Sequence, residues 1–301
     1  MRVRMLVVTT AVLVAGWPGA ATAVPPPVAP PPVADFDGNG CDDVAVWSPS
    51  TGSWTVGACF GRPPKGGWVY GQTLHGDGIE TVPADYDGDG RTDLAVFDRG
   101  SGSWAWRSSD TGAHHHEWFG SAGDRPVPAD YDGDGRADLA VWRPSDGLWY
   151  VRSGNGFTGV PFGRAGDLPV VADFDGDGRA DPAVFRPAVR TWMVLRSSDG
   201  AVTYEPFGLA DDVLVPADYD GDGRADVAVF RPSTGWWWIL RSGGDGLLAF
   251  PWGQRDDVPV PADYDGDGRA DPAVYRRGAW LLPGHDELWL GGPDEVPVLA
   301  G

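Results

Sequence analysis

One nine-residue acidic motif, Asp-x-Asp-x-Asp-Gly-x-x-Asp, recurs along this 301-residue chain and constrains its fold more than any other feature. The six copies begin at Asp35, Asp85, Asp130, Asp173, Asp218 and Asp263, and Asn39 replaces one aspartate of the first copy. Successive copies start 43 to 50 residues apart. A period of about 40–50 residues indicates a propeller or another array of repeated units. The sequence therefore predicts six equivalent units.

Each unit contains four short runs of β-forming residues, which are separated by turn residues and show no helical pattern. The first run carries a proline, at Pro83, Pro128, Pro216 and Pro261. Because proline cannot donate to a β-ladder, this strand should lie at a sheet edge. The second run, residues 139–142 in the third unit, is apolar on both faces, as in a strand covered on both sides. The pattern predicts an all-β fold, a six-bladed β-propeller of four-stranded antiparallel blades with the proline-bearing strand innermost.

The pattern of the innermost strand occurs a seventh time, at residues 296–300, where no acidic motif follows it. A ring of seven blades is the alternative fold. It would need a whole blade built from this tail and residues 24–32, which are too short and too rich in proline. We therefore expect Val33 and Ala34 to hold the innermost position of the first blade, with residues 296–300 close beside them.

The acidic motif has the composition of a binding site for a hard cation. Side-chain oxygens at positions 1, 3, 5 and 9 and the carbonyl at position 7 can converge in one tight loop, where the glycine at position 6 permits the turn. Ligation by oxygen alone, with several carboxylates, favours Ca²⁺ over zinc or copper. We expect about six Ca²⁺ ions. An EF-hand is excluded because position 12, where a bidentate glutamate would stand, is valine in every copy.

The predicted ligands are the residues at positions 1, 3, 5, 7 and 9 of the six loops, with position 7 contributing only its carbonyl oxygen. In chain order they are Asp35, Asp37, Asn39, Cys41 and Asp43; Asp85, Asp87, Asp89, Arg91 and Asp93; Asp130, Asp132, Asp134, Arg136 and Asp138; Asp173, Asp175, Asp177, Arg179 and Asp181; Asp218, Asp220, Asp222, Arg224 and Asp226; and Asp263, Asp265, Asp267, Arg269 and Asp271. These ligand positions hold 23 of the 43 acidic residues and therefore account for the net charge of -20.

The repeated run Asp-Tyr-Asp-Gly-Asp-Gly-Arg-Ala-Asp-Leu-Ala-Val resembles FG-GAP/VCBS-type repeats over about residues 33–301. The Phe-Gly part of that name is found at residues 119–120, 162–163 and 207–208, whereas the Gly-Ala-Pro part is not matched. The resemblance implies an integrin-α-like propeller with Ca²⁺ in the loop between the first two strands of each blade. It also implies a role in adhesion, in sugar binding or as an appendage to an enzyme.

The N-terminal segment has the layout of a targeting signal. Arg2 and Arg4 precede an apolar run, and residues 21–23 form a small-x-small cleavage site, which together predict a secretory signal peptide at residues 1–23. Residues 24–32 form a proline-rich tether, and residues 33–301 form the propeller. The remaining chain has no apolar run long enough to span a bilayer, so we expect a secreted protein without membrane insertion.

Three further sets of residues have alternative interpretations. Cys41 and Cys59 flank a hairpin in a secreted chain, which predicts a disulfide. A tryptophan recurs after the second turn of each unit, for example Trp104 and Trp149, and either packs between blades or stacks against sugar rings. The run from His114 to Glu117 is interpreted as a surface loop rather than a transition-metal site. If it were a strand, at most two of its three histidines could share one ion.

The acidic charge excludes a basic nucleic-acid groove as the main functional surface. No Gly-x-Ser-x-Gly or His-Glu-x-x-His motif occurs in the chain. We therefore expect a monomeric, non-catalytic binding or adhesion module whose partners are glycans or extracellular proteins. The alternative is an extracellular enzyme that acts on polysaccharides, a lyase or a hydrolase, with its site at the mouth of the propeller.

Overall fold

The computed structural model describes residues 34–60, 68–70, 74–244, 246–292 and 294–298, which form strands and turns without a helix. The predicted signal peptide and tether lie outside the described residues. The 24 strands form six antiparallel sheets of four strands each. These are the six blades of a β-propeller, so the prediction of six blades is confirmed and the alternative of seven is wrong. No helix within the described ranges is long and apolar enough to cross a membrane.

The strands are numbered β1–β24 in chain order. Blade one contains β1 (Ala45–Trp47), β2 (Trp54–Val56), β3 (Trp68–Tyr70) and β24 (Val296–Pro297). Blade two contains β4 (Ile79–Thr81), β5 (Leu94–Asp98), β6 (Ser103–Arg107) and β7 (His114–Trp118). Blade three contains β8 (Arg125–Pro126), β9 (Leu139–Arg143), β10 (Leu148–Ser153) and β11 (Gly156–Pro161). Blade four contains β12 (Leu168–Ala172), β13 (Asp181–Arg186), β14 (Thr191–Leu195) and β15 (Val202–Pro206). Blade five contains β16 (Val213–Leu214), β17 (Val227–Arg231), β18 (Trp236–Leu240) and β19 (Leu247–Pro251). Blade six contains β20 (Val258–Pro259), β21 (Val274–Arg276), β22 (Ala279–Leu281) and β23 (Leu288–Trp289).

The order of strands within each blade follows the sequence pattern. The strand that precedes the acidic loop lies at one edge of its sheet, as the prolines predict, and the strand after the loop lies inside the sheet. In β5 and β9 the first four residues are buried, which confirms that this strand is covered on both faces. The fourth strands β7 and β15 are exposed along their whole length, so they form the outer rim of the ring.

The recurrent tryptophans pack inside the propeller. Trp54, Trp104, Trp149, Trp192, Trp237 and Trp280 are all less than 2 % exposed. In one core cluster Trp149 of blade three packs with Val184 and Met193 of blade four. The indole N–H of Trp149 donates to the carbonyl of Phe162 at 2.8 Å, which satisfies its polar group. The interpretation as packing between blades is therefore confirmed, and these buried side chains are not sugar-stacking platforms.

The glycine of the Phe-Gly motif allows two turns to approach each other. Gly147 lies in the turn between β9 and β10, and Gly163 follows the outermost strand β11. A Cβ atom at Gly147 would lie 2.4 Å from the carbonyl oxygen of Gly163, which is too close for any side chain. In blade five, a Cβ atom at Gly235 would likewise lie 2.2 Å from the carbonyl oxygen of Gly253. The absence of side chains at both glycines thus allows the chain that follows the outermost strand to pack against the turn between the second and third strands of the same blade.

Blade one obtains its innermost strand from the C-terminal end of the propeller sequence. β24 pairs antiparallel with β1, with Val46 opposite Pro297 and Trp47 opposite Val296. The N–H of Val298 then donates to the carbonyl of Ala45 at 2.8 Å. The prediction that the N-terminal copy holds this position is wrong. The carbonyl of Ala34 accepts the N–H of Asp43 at 2.9 Å, as Ala129 accepts from Asp138 in blade three, and Val33 lies outside the described residues.

The N-terminal copy cannot pair fully with β1 because it lacks one backbone hydrogen-bond donor. In blade three, Val127 stands three residues before the acidic loop, and its N–H donates to the carbonyl of Ala140 at 2.9 Å. The same position of the N-terminal copy is Pro32, which has no N–H. Val298 stands at this position of the C-terminal copy and supplies the bond. The innermost strand of blade one is therefore shared between the two ends of the propeller sequence.

Asp42 joins the two ends at the base of this shared strand. Its buried carboxylate accepts the N–H of Ala34 at 2.7 Å and the N–H of Asp263, in the sixth acidic loop, at 2.8 Å. Burial raises the pKa of Asp42 to about 7. The equivalent position is threonine or alanine in the other five copies, so this bridge is specific to the closure of the ring.

Replacing Asp42 by alanine should lower the free energy of unfolding by about 2–4 kcal/mol, because it leaves the buried N–H of Ala34 and the partly buried N–H of Asp263 without their acceptor. Urea denaturation followed by tryptophan fluorescence measures this loss. Thr92→Ala is the matched control, since Thr92 stands at the equivalent position of blade two and four other copies already have alanine there. A loss no greater than that of Thr92→Ala would contradict a role of Asp42 in closure.

A disulfide joins Cys41, in the first acidic loop, to Cys59, which follows β2, and their Cα atoms are 6.1 Å apart. The double variant Cys41→Ser/Cys59→Ser should lose about 3 kcal/mol of stability, because the crosslink restricts the unfolded chain over a loop of this length. Mass spectrometry of unreduced peptides should recover the linked pair. Quantitative alkylation of both thiols in the native protein would contradict the bond.

Candidate metal centres

Each acidic loop is shaped by hydrogen bonds between its own carboxylates and its backbone. In the third loop the two oxygens of Asp130 accept the N–H groups of Gly133 at 2.6 Å and Gly135 at 2.8 Å. The carboxylate of Asp138 accepts the N–H of Tyr131 at 3.0 Å. The φ angles of the two glycines are 81° and 83°, which is a left-handed conformation that favours glycine. The Asp-x-Asp-Gly-Asp-Gly spacing therefore folds the carboxylates inwards.

The carboxylates at positions 1, 3 and 9 of the loops are brought together. In each of five loops one oxygen from each of the three side chains lies within 4.8 Å of the other two. The five groups are Asp35, Asp37 and Asp43; Asp85, Asp87 and Asp93; Asp130, Asp132 and Asp138; Asp173, Asp175 and Asp181; and Asp218, Asp220 and Asp226. The sixth loop has the same internal bonds, because Asp263 accepts from Gly266 and Gly268 and Asp271 accepts from Tyr264.

Positions 5 and 7 have other contacts. The position-5 carboxylates of Asp89 and Asp222 accept hydrogen bonds from Ser109 and Ser242, which follow the third strand of the same blade. These carboxylates are outside the groups of three. The position-7 arginines lie against the preceding loop: a Cβ atom on Gly133 would be 3.1 Å from the side chain of Arg179. The carbonyl oxygens at position 7 remain predicted ligands.

The six loops are linked into a closed ring. The N–H at position 8 of each loop donates to the carbonyl of position 1 in the loop of the neighbouring blade, at 2.7–2.9 Å. The donor–acceptor pairs are Thr92 to Asp35, Ala137 to Asp85, Ala180 to Asp130, Ala225 to Asp173, Ala270 to Asp218, and Asp42 to Asp263. The position-1 residue thus holds its own loop with the side chain and the next loop with its carbonyl. This ring was not anticipated from the sequence, since the residue at position 8 varies.

The electrostatics of the loops favour a bound cation. Burial, opposed in part by backbone donors and reinforced by neighbouring aspartates, raises the pKa of Asp43 to about 8 and the pKa values of Asp93 and Asp138 to about 7. In the described part of the chain, the Oδ1 atoms of Asp37, Asp43 and Asp132 are buried and have no hydrogen-bond partner. Buried carboxylates need a compensating charge, and a divalent cation would provide it. The donor set is all oxygen, which fits Ca²⁺.

The recurrent arginines after the second strand have structural partners. Arg143 forms a two-point ion pair with Asp124, with both N···O distances 2.8 Å, and Asp124 is buried. The pairs Arg186–Asp167, Arg231–Asp212 and Arg276–Asp257 repeat this contact. The expectation that these arginines pair with a neighbouring acid is confirmed. Each ion pair attaches the segment that connects two consecutive blades to the second strand of the following blade.

Large aromatic side chains are exposed on the rim. Trp118 of β7 is 70 % exposed, Tyr204 of β15 is 65 % exposed and Trp289 of β23 is 69 % exposed. All three lie on fourth strands, and their rings face solvent rather than a neighbouring blade. Each presents an apolar ring with a polar N–H or O–H group to solvent, so each is able to contact a ligand.

Comparisons with known proteins agree with this architecture. Residues 85–141, 130–184 and 218–274 match the model of the FG-GAP-like repeat and together span just over half of the chain. A lectin of Agrocybe aegerita, which specifically recognises non-reducing terminal N-acetylglucosamine, has a TM-score of 0.55 and 21% identity over 89% of this chain and 78% of the lectin. A streptogramin B lyase has a TM-score of 0.51 and 9% identity over 88% of this chain and 85% of the lyase. These identities show a shared fold alone. No curated protein matches the sequence.

Proposed function

Since this chain belongs to the FG-GAP-like repeat family, we propose that it is a secreted, calcium-binding β-propeller that acts as a non-catalytic binding or adhesion module for glycans or extracellular proteins. The observation that carries the calcium proposal is the group of three carboxylates that recurs from blade to blade within 4.8 Å. Three of these carboxylates have a buried oxygen without a partner among the described residues. Six Ca²⁺ ions would offset about half of the negative charge of the 23 ligand carboxylates and hold the ring together.

The distribution of functional groups supports binding over catalysis. The acidic loops repeat in all six blades, whereas an enzyme that acts on polysaccharides would need a catalytic set in one place. Carboxylates that ligate Ca²⁺ are held ionised by the metal and make poor general acids. The exposed aromatic side chains lie on separate blades of the rim, which suits repeated contacts with an extended or multivalent partner.

A screen of the Ca²⁺-loaded protein on a glycan array tests the proposal, and the similar lectin gives a first ligand to include, non-reducing terminal N-acetylglucosamine. For a bound glycan we expect Trp289→Ala or Tyr204→Ala to weaken binding by about 2 kcal/mol, as for a buried aromatic contact. Val189→Ala is the control, because Val189 is also exposed but lies in a turn outside the fourth strands. Binding that is equal in all three variants would contradict recognition through rim aromatics.

A further inference from the structure

Four of the five histidines of this chain surround one cavity. His75, His114, His115 and His116 line a space of about 460 Å³ together with Leu74, Ala105 and Trp106. The cavity lies between the end of the connection from blade one and the β6–β7 hairpin of blade two, and its lining includes residues from both faces of that hairpin. The histidine run is a strand, β7, rather than the loop expected from the sequence. All four imidazoles are exposed.

The strand places two of the three consecutive histidines on one face. In the ladder between β6 and β7, His114 lies opposite Arg107, His115 opposite Trp106 and His116 opposite Ala105. Side chains alternate along a strand, so His114 and His116 share a face and His115 points to the other.

The contacts of the partner residues identify these two faces. The ring of His115 stacks on Trp106, with centroids 4.9 Å apart and planes 10° apart, and Trp106 packs in the core between blades two and three. Ala105 packs instead with Leu74 against the core that contains Trp47 and Trp54 of blade one. His114 and His116 are therefore on the side of blade one, where Leu74 and His75 approach.

We propose that His114 and His116, with His75 as a third donor across the cavity, bind one divalent transition-metal ion of the Zn²⁺, Ni²⁺ or Cu²⁺ class. Imidazole nitrogen is the ligand that these ions prefer, whereas the oxygen ligands of the acidic loops suit Ca²⁺. The two kinds of site therefore select different metals. The negative net charge of the protein attracts cations to both.

Calorimetric titration of Zn²⁺ in excess Ca²⁺ tests this site, and the histidine variants distinguish it from the acidic loops, which contain no histidine. We expect one Zn²⁺ per chain beyond the calcium sites. His114→Ala and His116→Ala should each weaken Zn²⁺ binding at least tenfold, since loss of an outer-shell partner alone costs about 10–100-fold. His75→Ala should weaken it as well.

His115→Ala is the matched control, because it removes an imidazole from the same strand but from the opposite face. It should leave Zn²⁺ affinity within about twofold, a difference of about 0.4 kcal/mol. Electron paramagnetic resonance of the Cu²⁺-loaded protein should show coordinated nitrogen that disappears in the His114→Ala/His116→Ala variant and persists in His115→Ala. Equal losses in all single variants, or unchanged binding in His114→Ala and His116→Ala, would overturn the assignment.

Discussion

Removing bound Ca²⁺ should lower the melting temperature of this protein by at least about 10 °C at pH 8. A site held at 100-fold its dissociation constant contributes about 2.7 kcal/mol. Loss of only two such sites would lower the free energy of unfolding by about 5 kcal/mol. In a domain of this size each kcal/mol shifts the melting temperature by roughly 2 °C, which gives a shift of about 10 °C. Differential scanning calorimetry with excess Ca²⁺, compared with protein freed of metal by a chelator and gel filtration, measures the shift. An unchanged melting temperature would contradict calcium-dependent stability.

The effect should also depend on pH in a defined direction. In the metal-free protein, burial raises the pKa of Asp43 to about 8 and the pKa values of Asp181, Asp226 and Asp271 to about 6, from a usual value of 3.8. A raised pKa in the folded state adds stability at low pH that is lost as the pH rises through the folded pKa. The metal-free protein should therefore become less stable from pH 5 to pH 8.

Because protons and Ca²⁺ compete for the same carboxylates, added Ca²⁺ should stabilise the protein strongly at pH 8 and weakly at pH 5. The same gain at both values would contradict this account.

A single loop can be tested by a neutral substitution. Asp132→Asn keeps the size of the side chain but removes the charge of a residue whose Oδ1 atom has no partner in the described part of the chain. We expect it to lower the number of Ca²⁺ ions bound per chain by about one of the proposed six. Asp146→Asn is the matched control, because it makes the same change in an exposed turn of the same blade. Equal stoichiometry in the two variants would contradict a role for Asp132 as a ligand.

Deleting residues 294–301 should lower stability sharply while nearly preserving the number of calcium sites. The deletion removes the only strand that covers the inner edge of β1 in the described structure and exposes the core of blade one. Thermal melting and Ca²⁺ titration of the truncated protein measure the two quantities. A truncated protein that melts like the full chain would contradict closure by β24.

A pair of point variants tests the same closure without removing residues. Val298 is 5 % exposed and belongs to the core of blade one, whereas Val296 on the same segment is 40 % exposed. Val298→Asp should cost about 3 kcal/mol or more, because it buries an unpaired charge. Val296→Asp should change stability by only about 0.5 kcal/mol. Similar melting temperatures for the two variants would contradict burial of Val298 in a closing strand.

The sequence predicted those parts of the fold that depend on local chemistry repeated many times. The prolines before four of the six acidic loops placed that strand at a sheet edge, and the apolar run after the loop placed the next strand inside the sheet. The recurrent tryptophans were interpreted correctly as packing between blades, because one large apolar side chain per unit needs a core to enter. The carboxylates at positions 1, 3 and 9 meet as the spacing predicted.

Features that depend on contacts between distant residues were missed or misjudged. The closure of blade one could have been predicted from Pro32. The equivalent residue of the other blades, such as Val127, donates its N–H to the second strand, and proline has no N–H to donate. The histidine run was expected to be a surface loop, but pairing with β6 makes it a strand. The cavity beside it also needs Leu74 and His75, which are far from it in sequence.

The shared innermost strand has a consequence for the order of events during synthesis. β1 and β2 are among the first strands to leave the ribosome, but their sheet is incomplete until residues 296–298 emerge. The first blade to be made is therefore the last to be finished. Until then its inner edge carries unpaired backbone groups that another chain could pair with, as any uncovered strand edge can. Chaperone protection of the nascent chain would thus matter most for blade one, because the ring can close only after residues 296–298 have emerged.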